Sequence, residues 1–282
     1  MSRLITRRSF VGGLLAAAAG GATYTRWCEP RWLEVTNRRI DLSRTGAARP
    51  LRVVQLSDFH ASAIVPLDYI AEAVALAVAQ RPDLVLVTGD FITKRFNSLD
   101  RYARVLRPLA AAAPAFACAG NHDGGPWVHR FGGYEDLEPV GRMLAAAGLR
   151  LLQNEWAEVT LLGARWQLIG TGDLWSGECR PDHAFARLPR RASAARLVLC
   201  HNPDAKSLLE AHDWDLMCCG HTHGGQIRLP LLGTPFAPVR DKRFVEGLHV
   251  WRGRWLNVNR GVGNLYGLRF NCRPEISVLE LV

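Results

Sequence analysis

Nine side chains that can bind a metal ion or move a proton fall into five short blocks of the sequence: Asp58, His60, Asp90, Asn121, His122, Asp123, His201, His221 and His223. Five of the nine histidines in the chain are among them. A lone histidine at a strand end is usually a hydrogen-bonded surface residue. Five blocks with metal-ligand spacing make coincidence the weaker explanation. Asp58-x-His60 and His221-x-His223 each put two donors on one side of an extended segment, because alternate residues point the same way. The mixture of carboxylate, imidazole and amide oxygen suits borderline divalent transition metals better than calcium, and no thiolate cluster offers a structural zinc site. Roughly seven donors are too many for one ion and natural for two ions sharing a carboxylate, on the order of 4 Å apart. Such a pair is the clamp used in phosphate-ester hydrolysis.

The blocks recur where apolar runs end. Leu51–Leu56 is strand-like and runs into Asp58 and His60; residues 83–87 lead to Asp90, and residues 114–119 lead to Asn121, His122 and Asp123. Between them, residues 66–80 and 98–109 carry apolar residues at helical spacing, and a further helix is expected near 135–147. Strands are expected at 156–162, 166–171, 196–200 and 216–219, the last two running into His201 and His221. This rhythm implies parallel strands with crossover helices. The tail, 245–258 and 276–281, has the alternation and glycine turns of antiparallel strands. In open α/β sheets ligands bind beyond the carboxyl ends of strands, so the five blocks should converge.

In order and spacing, Asp58-x-His60, Gly89-Asp90, Gly120-Asn121-His122-Asp123, His201 and Gly220-His221-x-His223 resemble the signature of the calcineurin-like metallophosphoesterases, over residues 51 to about 228. Gly224-Gly225-Gln226 and Arg260-Gly261-Val262-Gly263 resemble the bacterial subgroup with twin-arginine signals or membrane attachment. The resemblance implies an α/β fold, a two-sheet αββα sandwich, and two divalent ions (Mn, Fe or Zn). It implies that Asp58, His60, Asp90 and His223 hold one ion, that Asp90 bridges, and that Asn121, His201 and His221 complete the second. A phosphodiester or pyrophosphate would then be hydrolysed by in-line attack of a hydroxide bridging the ions. His122 would stabilise charge or protonate the leaving oxygen, and Asp123 would orient His122 or cap its loop. The family's second acidic block is commonly Gly-Asp-x-x-Asp, whereas Thr93 stands here in the last position. Asp173 is expected at the pocket wall or in a turn. Arg95 and Arg260 are candidates to meet substrate phosphate, and Trp127, Trp175 and Phe131 to form an apolar rim.

The composition is that of an ordinary globular chain, 48% hydrophobic and 22% charged, with no internal repeat. Its net charge of +9 is concentrated at the start: residues 1–52 carry ten Arg and three acids, a net of +7. The body is nearly balanced, so a stable nucleic-acid partner is not expected. Arg7-Arg8-Ser9-Phe10 precedes an uncharged stretch to Ala22, resembling a twin-arginine export signal. The expected organisation is a signal peptide or anchor at 1–30, a basic joint at 31–50 and a metallophosphoesterase domain at 51–282. Expected partners are a phosphorylated small molecule or lipid and the twin-arginine export machinery, with peripheral membrane contact. That places the domain in the periplasm or another extracytoplasmic space, anchored if the signal stays, with Trp27 and Arg31 at headgroup level. Seven cysteines cannot all pair within one chain. Cys118, Cys200, Cys218 and Cys219 read as small buried strand residues, and Cys179 and Cys272 as loop residues able to form a disulfide. Two alternatives remain: a UDP-2,3-diacylglucosamine pyrophosphohydrolase-like enzyme of lipid A biosynthesis, and an inactive binding module on the same fold. Retention of every ligand position speaks against the inactive module.

Overall fold

The computed structural model describes residues 7–42, 46–189 and 194–282. The first sheet takes β1 (Glu34–Ile40), β2 (Leu51–Leu56), β3 (Leu84–Thr88), β4 (Ala115–Cys118) and β5 (Arg150–Leu151). The second takes β6 (Glu155–Leu161), β7 (Ala164–Gly170), β8 (Ala195–Leu199), β9 (Leu216–Cys219), β10 (Gly247–Trp251) and β11 (Arg254–Val258). The last strand, β12 (Glu275–Leu281), returns to the first sheet. The strand orders are β1-β12-β2-β3-β4-β5 and β10-β11-β9-β8-β7-β6. The run β2-β3-β4-β5 is parallel, as is β7-β8-β9-β11, while β12 runs antiparallel to β2 and β10 to β11.

Strict alternation along the strands builds three apolar layers. Val53, Leu84, Leu86, Phe116 and Cys118 point between the sheets and meet Trp166, Leu168, Leu197 and Cys218 from the other side. Val54, Leu56, Val85, Val87 and Ala117 point outward. There α2 (Leu67–Ala79) and α3 (Leu99–Ala112) cover them, with Ile70, Ala73, Val74 and Ala77 of α2 and Leu106 and Leu109 of α3 on the buried side. A short α4 (Pro126–His129) precedes α5 (Glu138–Ala147), which packs beside α3 through Val140, Met143 and Leu144. The outer face of the second sheet, with Val198, Met217, Cys200 and Cys219, is covered by Ala184 of α6 (Pro181–Phe185) and by Leu209, Trp214 and Phe244. The architecture is the expected αββα sandwich. The four strand cysteines lie in these layers as read from their apolar surroundings.

The basic joint differs from expectation. Residues 34–40 form a full strand in register with β12, from Glu34 opposite Glu275 to Ile40 opposite Leu281. Glu29 and Pro30 are buried too, and the Glu29 carboxylate accepts the Asn271 N–H at 3.0 Å and also the Cys272 N–H. The packed body therefore begins near residue 29. Upstream, α1 (Arg7–Thr23) buries no residue. Among the described residues no helix is long and apolar enough to cross a membrane.

Candidate metal centre

All five polar blocks leave the carboxyl ends of strands, and the stacking of the sheets brings them together. Asp58 and His60 follow β2, Asp90 follows β3, Asn121 to Asp123 follow β4, His201 follows β8, and His221 and His223 follow β9. Asp58, His60, Asp90, His221 and His223 all take left-handed backbone, with φ between 50° and 70°. Such conformations cost about 1–3 kcal/mol each for residues other than glycine and concentrate at functional sites. Two neighbouring glycines make room. A Cβ on Gly120 would sit 2.2 Å from Asp90 Oδ1, and one on Gly220 would sit 1.8 Å from Ser57 Oγ and 2.2 Å from Asp58 Oδ2.

The donor atoms form two groups that share Asp90. Asp58, His60, Asp90 and His223 make one, and Asp90, His201 and His221 the other, with the donor atoms of each within 4.8 Å of one another. His60 Nε2 lies 3.0 Å from His223 Nε2 and 3.3 Å from Asp90 Oδ2, while His223 Nε2 lies 3.3 Å from Asp58 Oδ1. In the second group His201 Nε2 is 3.1 Å from Asp90 Oδ2 and 3.2 Å from His221 Nδ1. Atoms bound to one ion at 2.0–2.1 Å stand about 3.0–3.4 Å apart, so these spacings fit shared ions. Asn121 is buried and its Oδ1 has no hydrogen-bond partner, a carbonyl oxygen left for an outside cation. The residues present fit two divalent ions.

Electrostatics agree. Burial pushes the Asp58 carboxyl up. It would do the same to Asp90, but charge on His201 and His122 and hydrogen bonds from His201 and His60 hold that group well below the ordinary carboxylate value. Burial lowers His60, His221 and His223 and keeps their imidazoles neutral, the form that binds metal. Burial opposes charge on His201 as well, yet Asp90 and Asp58 raise it to about 10. The two buried carboxylates thus demand positive charge beside His201, the charge that bound cations would supply. Backbone carbonyls set the rings: His201 Nδ1 lies 2.6 Å from Thr88 O and His122 Nδ1 lies 2.7 Å from Thr93 O. With Nδ1–H donated there, Nε2 of each ring is the nitrogen left for the site.

Residues 51–225 match the family described as calcineurin-like phosphoesterase. The chain belongs to that family. Phosphodiesterase YaeI of Escherichia coli K12 is 44% identical, over 99% of this chain and all of that protein. An uncharacterized metallophosphoesterase of Bacillus subtilis 168, YkuE, is 30% identical over 98% of each. The UDP-2,3-diacylglucosamine pyrophosphatase LpxG of Chlamydia trachomatis is 26% identical over 95% of this chain and 94% of its own length. The family and the paired donor groups make this calcineurin-like phosphoesterase a metal-dependent phosphoester hydrolase with a dimetal site.

Several residues behave otherwise than expected. Asp123 makes no contact with the His122 ring. Its carboxylate accepts the N–H groups of Gly120 and Asp90 at 2.8 Å and of Phe91 at 2.7 Å, which ties the two ligand loops together. It is a loop organiser, and burial together with the charge of Asp90 raises it to about 8. Thr93 orients His122 instead, from the position where the family commonly has its second acid. Arg260 is claimed by carboxylates and does not line the cavity: Glu275 and Glu34 hold it at 3.0 and 2.6 Å, with Glu246 at 3.7 Å. Arg95 donates to Gly133 O at 3.3 Å and lies over the Tyr134 ring, outside the cavity wall. Asp173 is buried and accepts the Ser176 N–H at 2.5 Å, the turn role weighed for it, while its Oδ1 has no partner. Cys179 and Cys272 are free thiols. Cys272 donates to the carbonyl of His223 at 3.2 Å, and Cys179 pairs with Cys200, which pulls its thiol down.

A cavity of about 480 Å³ opens over Asp90, Asn121, His122, His221 and His223. Its apolar wall holds Trp127 and Trp175, ring centroids 5.2 Å apart, with Ile227, Phe236, Leu265 and Tyr266. The two tryptophans were expected at an apolar rim; Phe131 only flanks Trp127, at 5.1 Å. The 227–238 and 264–266 segments carried no sequence signal of a site.

Proposed function

We propose that the chain hydrolyses a phosphodiester, with Asp58, His60, Asp90 and His223 holding one ion and Asp90, Asn121, His201 and His221 the other. The sharing of Asp90 between two donor groups carries this reading. When bound, the ions supply Lewis-acid activation of water and of the phosphoryl oxygens. The donor set of imidazole, carboxylate and amide oxygen suits Mn, Fe or Zn. Asp90 Oδ1 accepts the His122 N–H at 2.9 Å, which leaves Oδ2 facing both groups. His122 lines the cavity, its ring fixed by Thr93 and packed edge-on to His60 and Trp127 at 4.9 Å. It would deliver a proton from Nε2 to the leaving oxygen or stabilise charge on the phosphoryl group. Thr88 and Asp123 keep the ligand loops in place. The apolar wall accepts the non-phosphate part of the substrate.

The test is hydrolysis of bis(p-nitrophenyl) phosphate and p-nitrophenyl phosphate by the purified chain with Mn²⁺, beside Asp90→Asn. Metal-dependent diester cleavage that Asp90→Asn abolishes is the expected result. Equal cleavage by the variant would overturn the shared-carboxylate reading. A lipid pyrophosphate substrate, as the name of the Chlamydia relative describes for that protein, is favoured by the apolar wall alone. UDP-2,3-diacylglucosamine sits on the cytoplasmic side, which conflicts with export. Export by the twin-arginine machinery to an extracytoplasmic space is supported by Arg7-Arg8-Ser9-Phe10 and by an α1 that no core contact ties to the body. Protection of the domain from protease added to intact spheroplasts would refute it.

A further inference from the structure

The cavity mouth carries exposed apolar side chains that phosphoester chemistry does not require. Leu231 and Leu232 stand at the tip of a turn closed by the Leu229–Gly233 bridge, with relative exposures of 106% and 74%. Phe236 and Tyr266, 70% and 72% exposed, line the cavity and continue the same rim. The two loops are joined by backbone: Arg228 N–H donates to Phe270 O at 2.8 Å, and Phe270 N–H to Gln226 O at 2.9 Å. Scattered exposed apolar residues need no explanation, but four carried by two backbone-linked loops beside one cavity mouth do.

The N-terminal segment meets the same rim. Arg269 N–H donates to Thr25 O at 3.0 Å, and a Cβ on Gly267 would lie 2.9 Å from Arg26 Nη1. The chain therefore enters the body beside Tyr266, and α1 leaves from the mouth with Phe10, Val11, Leu14 and Leu15 exposed. Among the described residues no helix is long and apolar enough to cross a membrane, so the apolar side chains of α1 suit a surface rather than a span. Attachment at such a surface strengthens with buried apolar area and with basic side chains facing anionic lipid. Residues 24–32 and 226–246 carry six basic side chains, Arg26, Arg31, Arg228, Arg240, Lys242 and Arg243, against three acids; Arg228 pairs with Glu246 and Arg243 with Asp241, and the net of +3 favours anionic lipid.

We propose that the rim formed by Leu231, Leu232, Phe236 and Tyr266 docks on an anionic lipid surface and turns the cavity mouth toward amphiphilic phosphoesters in that surface. The proposal rests on the phosphodiester reading for its substrate class, while the docking itself stands on the rim. Its test uses the full chain with vesicles of phosphatidylcholine alone or with added phosphatidylglycerol, read by hydrogen exchange of backbone amides. Residues 226–238 and 264–270 should exchange more slowly with the anionic vesicles. Leu231→Ser with Leu232→Ser should weaken vesicle partitioning at least about tenfold. The same double variant should keep hydrolysis of soluble bis(p-nitrophenyl) phosphate within about twofold. Slowed exchange confined to residues 7–23 would overturn the proposal. So would protection of the rim that grows with protein concentration in the absence of vesicles, which would mean a second copy covers it. Failure of the wild-type chain to cleave the soluble diester strikes the phosphodiester reading alone, since rim protection is measured without turnover.

Discussion

The Nε2 atoms of His60 and His223 face each other at 3.0 Å with their rings stacked. Burial holds both imidazoles toward the neutral form. Two lone pairs at that distance need a proton or a cation between them. With Asp58 and Asp90 beside them, the cation is the more complete solution, because it satisfies four donors where a proton satisfies two. Chelation should therefore lower the unfolding temperature, and Mn²⁺ at a hundred times its Kd should restore about 2.7 kcal/mol. Elemental analysis of His223→Ala should find one ion fewer per chain with an unchanged far-ultraviolet circular dichroism spectrum. An undiminished metal content would remove His223 from the ligand set.

How far the sequence disclosed this arrangement depended on how local each signal was. β2, β3 and β4 were legible because each is a short apolar run ending in a polar block, and both faces of each strand are buried. β1 was not. It lies at a sheet edge, is only half-buried along most of its length, and carries Thr36 and Arg38, so it reads as a charged linker until β12 is seen beside it. Asp123 was legible only as a choice between orienting His122 and capping its loop, for a similar reason: its three N–H donors come from two loops, and no local pattern records that. Arg260 looked like a phosphate ligand from its charge alone. Carboxylates from three separate segments, Glu34, Glu246 and Glu275, claim it in the fold.

His122 contributes no donor to either metal group, yet its ring borders both the cavity and His60. His122→Ala should leave the metal content intact and lower kcat by roughly 10²–10⁴-fold on a diester with an alkyl leaving group. The defect should be smaller on bis(p-nitrophenyl) phosphate, whose leaving group departs without a proton. Equal losses on both esters would assign the ring to charge stabilisation instead of proton delivery.

Gly220, directly after β9, packs against Ser57 and Asp58. The Cβ of an alanine there would overlap Ser57 Oγ and Asp58 Oδ2, and neither has room to retreat, because Ser57 Oγ donates to Thr88 O at 2.9 Å and Asp58 accepts the His221 N–H at 3.0 Å. Gly220→Ala should destabilise the chain by about 1–3 kcal/mol and weaken metal binding more than it perturbs the sheets. A variant with native metal affinity and native melting behaviour would show that the loop relaxes freely.

Glu275 joins the edge strand to the site-bearing loops. Its buried carboxylate accepts from Arg38 of β1 at 2.7 Å, and its other oxygen accepts from Arg260 Nε at 3.0 Å. Burial by itself would raise the group, but Arg38, Arg260 and Thr36 hold it at about 2 against an ordinary 4.5. At pH values between those two limits the unfolded chain has bound a proton that the folded chain has not. The stabilisation is therefore complete above about pH 4.5 and is lost as the pH falls toward 2, with a full value of about 3 kcal/mol. Glu275→Gln should be less stable than the wild-type chain at pH 7, and the gap between the two should close over that acid interval. Measuring the difference isolates this group from the other buried carboxylates, which titrate in both proteins. A gap that stays constant from pH 7 down to pH 3 would mean the carboxylate is not held by its arginines, and the edge strand would then owe its place to backbone pairing alone.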